Sequence, residues 1–384
     1  MESRTVYADN AATTSLSVRA LERMLPYMSE RYGNPSSAHE MGHDAKKAVE
    51  DARGRIARVI GAKNNEIFFT SGGTEADNWA LYGALKRREK KGGHIITTRV
   101  EHSAVFRTAE DLEKRGCRVT YLSTDKYGQV TSEQLSEAIC DDTALVSIML
   151  ANNEIGSVLP IKELCAAAHA RGVLFHTDAV QAVGHIPVNV GELGVDFLSM
   201  SAHKFHGPKG VGALYVRLGS TLPPIIIGGG QEKGRRSGTE NVPGIVGMAA
   251  ALEESAENIV SNMARVTAMR DRIIDSALKI PGVKLTGDPV NRLPGIASFL
   301  FEGLTSAPIV RALSEVGIFA SSASACSSGS TEVSRALSET IGTNKALQHG
   351  ALRLSLNEYN TDEDIDYILE MLPYIAGKLY SGLA

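Results

Sequence analysis

Short apolar runs, polar or glycine-rich turns and amphipathic segments recur in one rhythm from the start of the chain to about residue 217. The runs are "EIFFT" (66–70), "HIITTRV" (94–100), "RVTYLS" (118–123), "ALVSIMLA" (144–151), "VLFHTDA" (173–179), "VDFLSMS" (195–201) and "GALYVR" (212–217). Helical patterns such as "EADNWALYGALKRREKK", "SEQLSEAIC" and "IKELCAAAHARG" lie between several of them. Such alternation predicts βαβ units around a mostly parallel sheet of about seven strands. The segment "PPIIIGGGQEKGRRSGTEN" breaks the rhythm, and a long helical stretch then runs from Val242 to Ile280. Strand-like pieces ("GIASFLF", "ALRLSL") alternate with helices after that. The pattern predicts a large α/β domain over residues 14–258. A smaller α+β domain is expected from residues 1–13 and 259–384.

The polar groups that follow the apolar runs sharpen this picture. "EIFFT" leads into "SGGTEADN", "HIITTRV" into Glu101-His102, and "ALVSIMLA" into "NNEIG". "VLFHT" ends at Asp178 with Gln181 just beyond, and "VDFLSM" runs into "SAHKFHGPKG". In a parallel sheet these places share the carboxyl edge of the strands, where open α/β sheets bind ligands. The turn in "FFTSGGTEADNW" offers free backbone N–H groups and a positive helix end to an anion. It lacks the Gly-Lys-Ser/Thr ending of a Walker loop and the GxGxxG fingerprint, so it reads either as a phosphate cradle or as an ordinary turn capped by Thr74.

Asp178, at the end of a strand expected to be buried, needs a cationic or donor partner. A pyridinium N–H would serve, and so would a turn that the carboxylate caps. Lys204 lies among small and ring-bearing neighbours. It reads as a solvated lysine or as an amine whose basicity, ordinarily near pKa ~10.4, is lowered for Schiff-base chemistry. His102 reads as a satisfied strand-end histidine or as a ring stacked on a planar cofactor. Lys209 is expected to be structural or solvent-facing. His39, His43, His169 and His349 show no metal-ligand spacing, and no metal site is expected.

Composition narrows the class without choosing a chemistry. Over 384 residues, 43% hydrophobic and 22% charged content is that of a soluble globular protein. A formal net charge of −4 argues against nucleic-acid binding as the main task. No secretory signal or membrane-spanning apolar run is visible, so a cytoplasmic protein is expected. The four cysteines, Cys117, Cys140, Cys165 and Cys326, contain no CxxC pair, which fits a reducing compartment. Cys117, Cys140 and Cys165 sit in strand or helix patterns and are expected in the core. Cys326 stands apart, in the small-residue run "ASSASACSSGSTEV" (320–333).

Taken together, "YADNAATT", "YGNPSSAHEMGHDA", "FFTSGGTEADN", "EHSAV", "ANNEIGSVLPI", "HTDAVQAVG", "SMSAHKFHGPKG", "RRSGTEN", the cysteine run and "ALRLSLNEYNTDEDID" span nearly the whole chain. Over these motifs the sequence resembles the cysteine desulfurases of the iron–sulfur cluster assembly type. These belong to the class V aminotransferase family of fold-type I pyridoxal-phosphate enzymes.

The resemblance implies a fold of one large domain, with a seven-stranded mostly parallel sheet, and a smaller α+β domain. It implies pyridoxal phosphate attached to Lys204, with Asp178 on the pyridine nitrogen and Gln181 on the phenolic oxygen. His102 would stack on the ring; Gly73, Thr74, Ser201 and His203 would hold the phosphate. Thr239 would reach that phosphate from the partner subunit of a homodimer. Asn153 and Arg353 would fix the substrate carboxylate. The reaction implied is L-cysteine to L-alanine, with the sulfur carried as a persulfide on Cys326 to an acceptor such as an iron–sulfur scaffold protein. Selenocysteine lyase, or another class V reaction, is the alternative. Ala323, the absent proline in "TEVS" and Asn357 depart from the family pattern, and each bears on how the cysteine arm moves and docks.

Overall fold

The computed structural model describes residues 4–87, 93–322 and 334–382. Seven strands form the main sheet, in the spatial order Ile67–Thr70, Gly212–Val216, Phe197–Ser201, Leu174–Asp178, Thr143–Ser147, His94–Thr98 and Arg118–Leu122. All seven apolar runs of the sequence are therefore strands. Only Gly212–Val216 runs against its two neighbours; the other pairings are parallel, or become so across it.

Side chains alternate along these strands and feed two cores. Phe68, Ile95, Leu145, Phe197 and Leu214 pack under helices Gly73–Arg87 and Ser103–Lys114. Phe69, Ile96, Val146, Leu198 and Ala213 point the other way, toward helices Glu40–Val59, Ile161–His169 and Val242–Glu257. A sheet covered on both faces needs the nearly continuous apolar strands seen here. The strand Arg118–Leu122, at the edge, is the one whose side chains are mostly half-exposed.

A second, three-stranded antiparallel sheet joins Gly350–Ser355, Ile296–Phe301 and Val283–Leu285. Helices Ile259–Ala277, Ser306–Glu315 and Asp362–Ser381 pack with it around a separate apolar cluster that also takes in Val6 and Ala8. The first strand, Val6–Tyr7, pairs in parallel with Ile318–Phe319. The helical stretch expected from Val242 to Ile280 is two helices, broken at Asn258, which caps one and opens the next. Asparagine is a weak helix former whose side chain competes for backbone groups. Among the described residues, no helix is long and apolar enough to cross a membrane.

Candidate active site

The carboxyl edge of the large sheet carries a cavity of about 300 Å³. Gly73, Thr74, His102, Asn153, Asp178, Gln181, Ser201, His203 and Lys204 all line it, together with Ala12, Asp77, Met149 and Val180. Nine positions singled out in the sequence thus meet in one place. Arg353 lies just behind the wall, its Nη1 donating to the Asn153 carbonyl at 2.8 Å. Thr239 is exposed and does not line this chain's own cavity. Cys326 falls outside the described residues.

The turn before the helix Gly73–Arg87 is built on close approach. A Cβ on Gly212 would sit 2.6 Å from the Met200 carbonyl oxygen and 2.7 Å from the Gly72 Cα. Gly72 itself has φ +155°, a value that glycine adopts without strain. The first-turn N–H groups of the helix have no intrahelical acceptor, so they face the cavity as anion donors. Ser71 N donates to Glu75 Oε2 at 2.9 Å, and Glu75 accepts Arg236 at 2.8 and 3.0 Å. That ion pair fastens the segment leading to Thr239 onto the same first turn.

His102 caps the helix Ser103–Lys114 by accepting the Ala104 N–H on Nδ1 at 3.1 Å. Burial lowers its pKa and favours the neutral ring, with Asp178 pulling the other way. Asn152 and Asn153 divide their work. Asn152 Oδ1 accepts two N–H groups and its Nδ2 donates to Val100 O, whereas Asn153 faces the cavity. Lys204 Nζ donates to the carbonyls of Ala11 (2.7 Å) and Ala12 (2.9 Å), and Gln181 Nε2 donates to Ala11 as well (2.9 Å). His203 meets Thr13 Oγ1 at 3.2 Å, and burial brings its pKa down to about 4. Lys209 is exposed.

Carboxyl groups gather beneath the cavity. Asp178 Oδ1 accepts the Val180 N–H at 2.9 Å; burial raises its pKa, against His102, Val180 and Lys204. Asp77 is fully buried, its Oδ1 has no hydrogen bond, and His176 Nε2 lies 3.6 Å from it. Burial and the neighbouring Asp178 raise its pKa well above the usual range. Glu101 accepts Thr98 and Met149 N on Oε1, has no partner on Oε2, and is pushed by burial up to about 8. Below them His176, held neutral by burial, bridges Ser147 (2.8 Å) and Ser199 (3.0 Å).

Asp77 escaped the sequence reading, although it interrupts the buried stripe Gly73, Asp77, Ala80, Ala84 on one helix face. Ala11 and Ala12 contribute backbone only, and no side-chain pattern could reveal them. Two cysteine expectations are corrected. Cys117 lies in the turn before its strand and Cys140 beyond the end of helix Ser132–Ala138, and both are half-buried rather than core; Cys165 is buried as expected.

The chain is similar to known proteins over nearly its whole length. The family described as Aminotransferase class-V matches residues 6–368. The chain belongs to the class-V aminotransferase family. A cysteine desulfurase IscS of Methanosarcina thermophila is 49% identical over 378 residues, covering 98% of this chain and 93% of the relative. One from Dictyoglomus turgidum is 49% identical over 377 residues, covering 98% and 95%. Among solved structures, a NifS-like protein superposes with TM-score 0.92 at 40% identity, covering 98% of this chain and all of that one. A structure described as SspA in complex with cysteine gives 0.82 at 35% identity, with 93% and 100% covered. This class-V aminotransferase is thus an enzyme of the cysteine desulfurase group with a fold-type I architecture.

The cavity's donor set fits that family's cofactor, pyridoxal phosphate. It offers a helix N-terminus and hydroxyls for a phosphate, a buried carboxyl for a ring nitrogen, and a primary amine for an aldehyde.

Proposed function

We propose that this cytoplasmic enzyme uses pyridoxal phosphate to remove sulfur from L-cysteine, leaving L-alanine and a persulfide on Cys326. The observation that carries the reading is the convergence of Lys204, Asp178 and the Gly73–Thr74 turn on one cavity, with Arg353 directly behind Asn153. When bound, the cofactor supplies an aldehyde for the substrate amine and a ring that accepts electrons.

The chain's own groups do the rest. Gly73, Thr74, Ser201 and His203 take the phosphate, and Gln181 donates to the phenolic oxygen. Asp178 accepts the ring N–H; a cation there favours the carboxylate that burial alone disfavours. His102 covers the ring face. Asn153 and Arg353 hold the substrate carboxylate, for which a planar guanidinium is suited. Lys204 Nζ, released from the Ala11 and Ala12 carbonyls, moves the proton at Cα. The Cys326 thiolate attacks the substrate sulfur: an S–S bond forms, the C–S bond breaks, and its electron pair stays on carbon. Sulfur then passes to an acceptor protein.

A second copy of the chain completes the site through Thr239. Two features support it. Arg236 ties the segment before Thr239 to the rim of the cavity. Val18, Leu21, Leu25 and Met28 leave one apolar stripe of the helix Val18–Ser29 exposed, which a partner subunit would cover.

The test is spectroscopic before it is kinetic. The purified protein is expected to be yellow, and borohydride is expected to fix the cofactor to the chain only when Lys204 is present. A protein that binds no pyridoxal phosphate would overturn the reading. Cys326→Ser should keep the colour and lose sulfide release from cysteine; unchanged turnover would place the nucleophile elsewhere.

A further inference from the structure

The opposite edge of the large sheet, at the amino ends of its strands, carries a second cluster with ligand chemistry. His94 and Arg118 open adjacent strands, and Cys140 and Asp142 precede the strand Thr143–Ser147 on the other side of His94. The Cys140 Sγ lies 3.1 Å from His94 Nδ1 and 3.1 Å from Asp142 Oδ1. A thiol, an imidazole and a carboxylate thus present one ligand atom each within 4.8 Å of one another. The site holds no metal ion.

The imidazole is set up to act as a ligand. His94 is buried, and its Nε2 lies 2.9 Å from Thr120 Oγ1. With the Nε2 proton donated to Thr120, Nδ1 keeps its lone pair on the side of Thr143 Oγ1, at 2.9 Å, and Cys140 Sγ, at 3.1 Å. Such an outer partner is the usual device for fixing a ligating histidine. Thr143 Oγ1 accepts the Cys140 N–H at 2.9 Å and lies 3.2 Å from its sulfur, which fixes the thiol's position.

A cation already sits against the pair. Arg118 Nη2 donates to Cys140 Sγ at 2.9 Å and to Asp142 Oδ1 at 2.5 Å. Its side chain is 57% exposed and Asp142 is 52% exposed, so the guanidinium can be displaced at little cost.

We propose that Cys140, His94 and Asp142 form a site for a divalent cation of the Zn²⁺ class, whose place Arg118 occupies in the metal-free state. Mixed sulfur, nitrogen and oxygen donors select zinc over magnesium or calcium. Tetrahedral zinc, with bonds of about 2.3 Å to sulfur and about 2.0 Å to nitrogen, separates its ligand atoms by roughly 3.5 Å. The present spacing therefore opens by a few tenths of an ångström, which the exposed Asp142 permits. Water fills the fourth position. On binding, the S–H bond is replaced by an S–Zn bond, and the proton leaves to solvent.

The experiment uses the cofactor-loaded Cys326→Ser protein, so that the thiol assigned to sulfur transfer does not compete for the metal. Zn²⁺ is titrated against a chromophoric chelator, and Co²⁺ is added separately to read thiolate-to-cobalt absorption. One Zn²⁺ per chain and a Cys140-dependent cobalt band are expected. Cys140→Ser should abolish the band and weaken Zn²⁺ binding by more than the about 10–100-fold expected of Thr120→Val, which removes only the outer partner. Arg118→Ala should tighten binding, because it removes the competing cation.

Zn²⁺ affinity unchanged by Cys140→Ser would overturn the proposal and point to Asp77, His102 and Asp178, which have no sulfur. Weaker binding in Arg118→Ala would overturn it as well. With Cys326 intact, Cys140→Ser should leave cysteine turnover unchanged, so failure here is separable from failure of the proposed function.

Discussion

Arg53 and Arg353 are both almost fully buried and both face a carboxylate, yet they are wired differently. Arg53 uses all three of its nitrogens. It makes a two-pronged pair with Glu232 at 2.9 and 2.7 Å, reaches the Ile67 carbonyl at 2.8 Å, and bonds Glu50 through Nε at 3.2 Å. Glu232 in turn accepts the Phe69 N–H, and the pair is sealed, with side-chain exposures of 4% and 3%. Arg353 meets Asp9 through a single Nη2 contact at 2.7 Å, its Nε has no partner, and Asp9 is 23% exposed. A saturated buried arginine holds structure together. Under the proposed function, the unspent donor and the partly exposed Asp9 would let Arg353 exchange that partner for the substrate carboxylate.

The sharpest way to break this contrast is to remove each guanidinium in turn. Arg53→Ala leaves Glu232 buried and unpaired, which costs about 3–5 kcal/mol. Calorimetric unfolding should show the loss, with the KM for cysteine of the folded fraction unchanged. Arg353→Ala should cost less stability and raise the KM for L-cysteine by about 10–100-fold, the worth of one or two charged hydrogen bonds. A large stability loss with no KM change would make Arg353 a second Arg53.

A smaller effect concerns the carboxyls that, like Arg353, carry an unspent polar atom. Glu101 titrates near 8 when folded and near ~4.3 when unfolded. Between those values the folded state holds a proton that the unfolded state lacks, so stability is lost as pH rises. The slope is about 1.4 kcal/mol per pH unit for this group. Glu101→Gln should remove that loss, giving a higher Tm than the parent at pH 8 and little difference at pH 4.5. Equal pH dependence in the two proteins would mean Glu101 is charged in the fold.

The main sheet was legible because its strands are short runs of β-branched and aromatic residues, each closed by a turn. The cavity was legible because a parallel sheet sends the ends of those runs to one edge, and nine of its lining residues could be named from that rule and the family resemblance. Asp77 was not legible: nothing in "TEADNW" separates an inward carboxyl from an ordinary first-turn acid. Cys140 was misread because "SEQLSEAIC" continues an amphipathic pattern that the chain abandons at Ile139, where the backbone turns extended with φ −71° and ψ 133°. The Ala11 and Ala12 carbonyls were beyond reach for a different reason, since a main-chain contact leaves no mark on residue identity.

Those carbonyls belong to a stretch of eight positions, residues 5–12, that is tied to Phe319, Ser355, Arg353 and Lys204. Val6 N donates to the Gly317 carbonyl and Ala8 N to that of Phe319, both at 2.8 Å, Asp9 grips Arg353, and the Ala11 and Ala12 carbonyls hold the Lys204 amine. Ser321, two residues past Phe319, exchanges backbone hydrogen bonds with Arg353, and the chain continues from there toward Cys326. Under the proposed function, a substrate that draws Lys204 and Arg353 to itself would loosen those two contacts together and leave the backbone bonds to Gly317, Phe319 and Ser355 in place. Under the same proposal, the leading peptide would register amine and carboxylate at once, beside the strand from which the chain runs on toward Cys326.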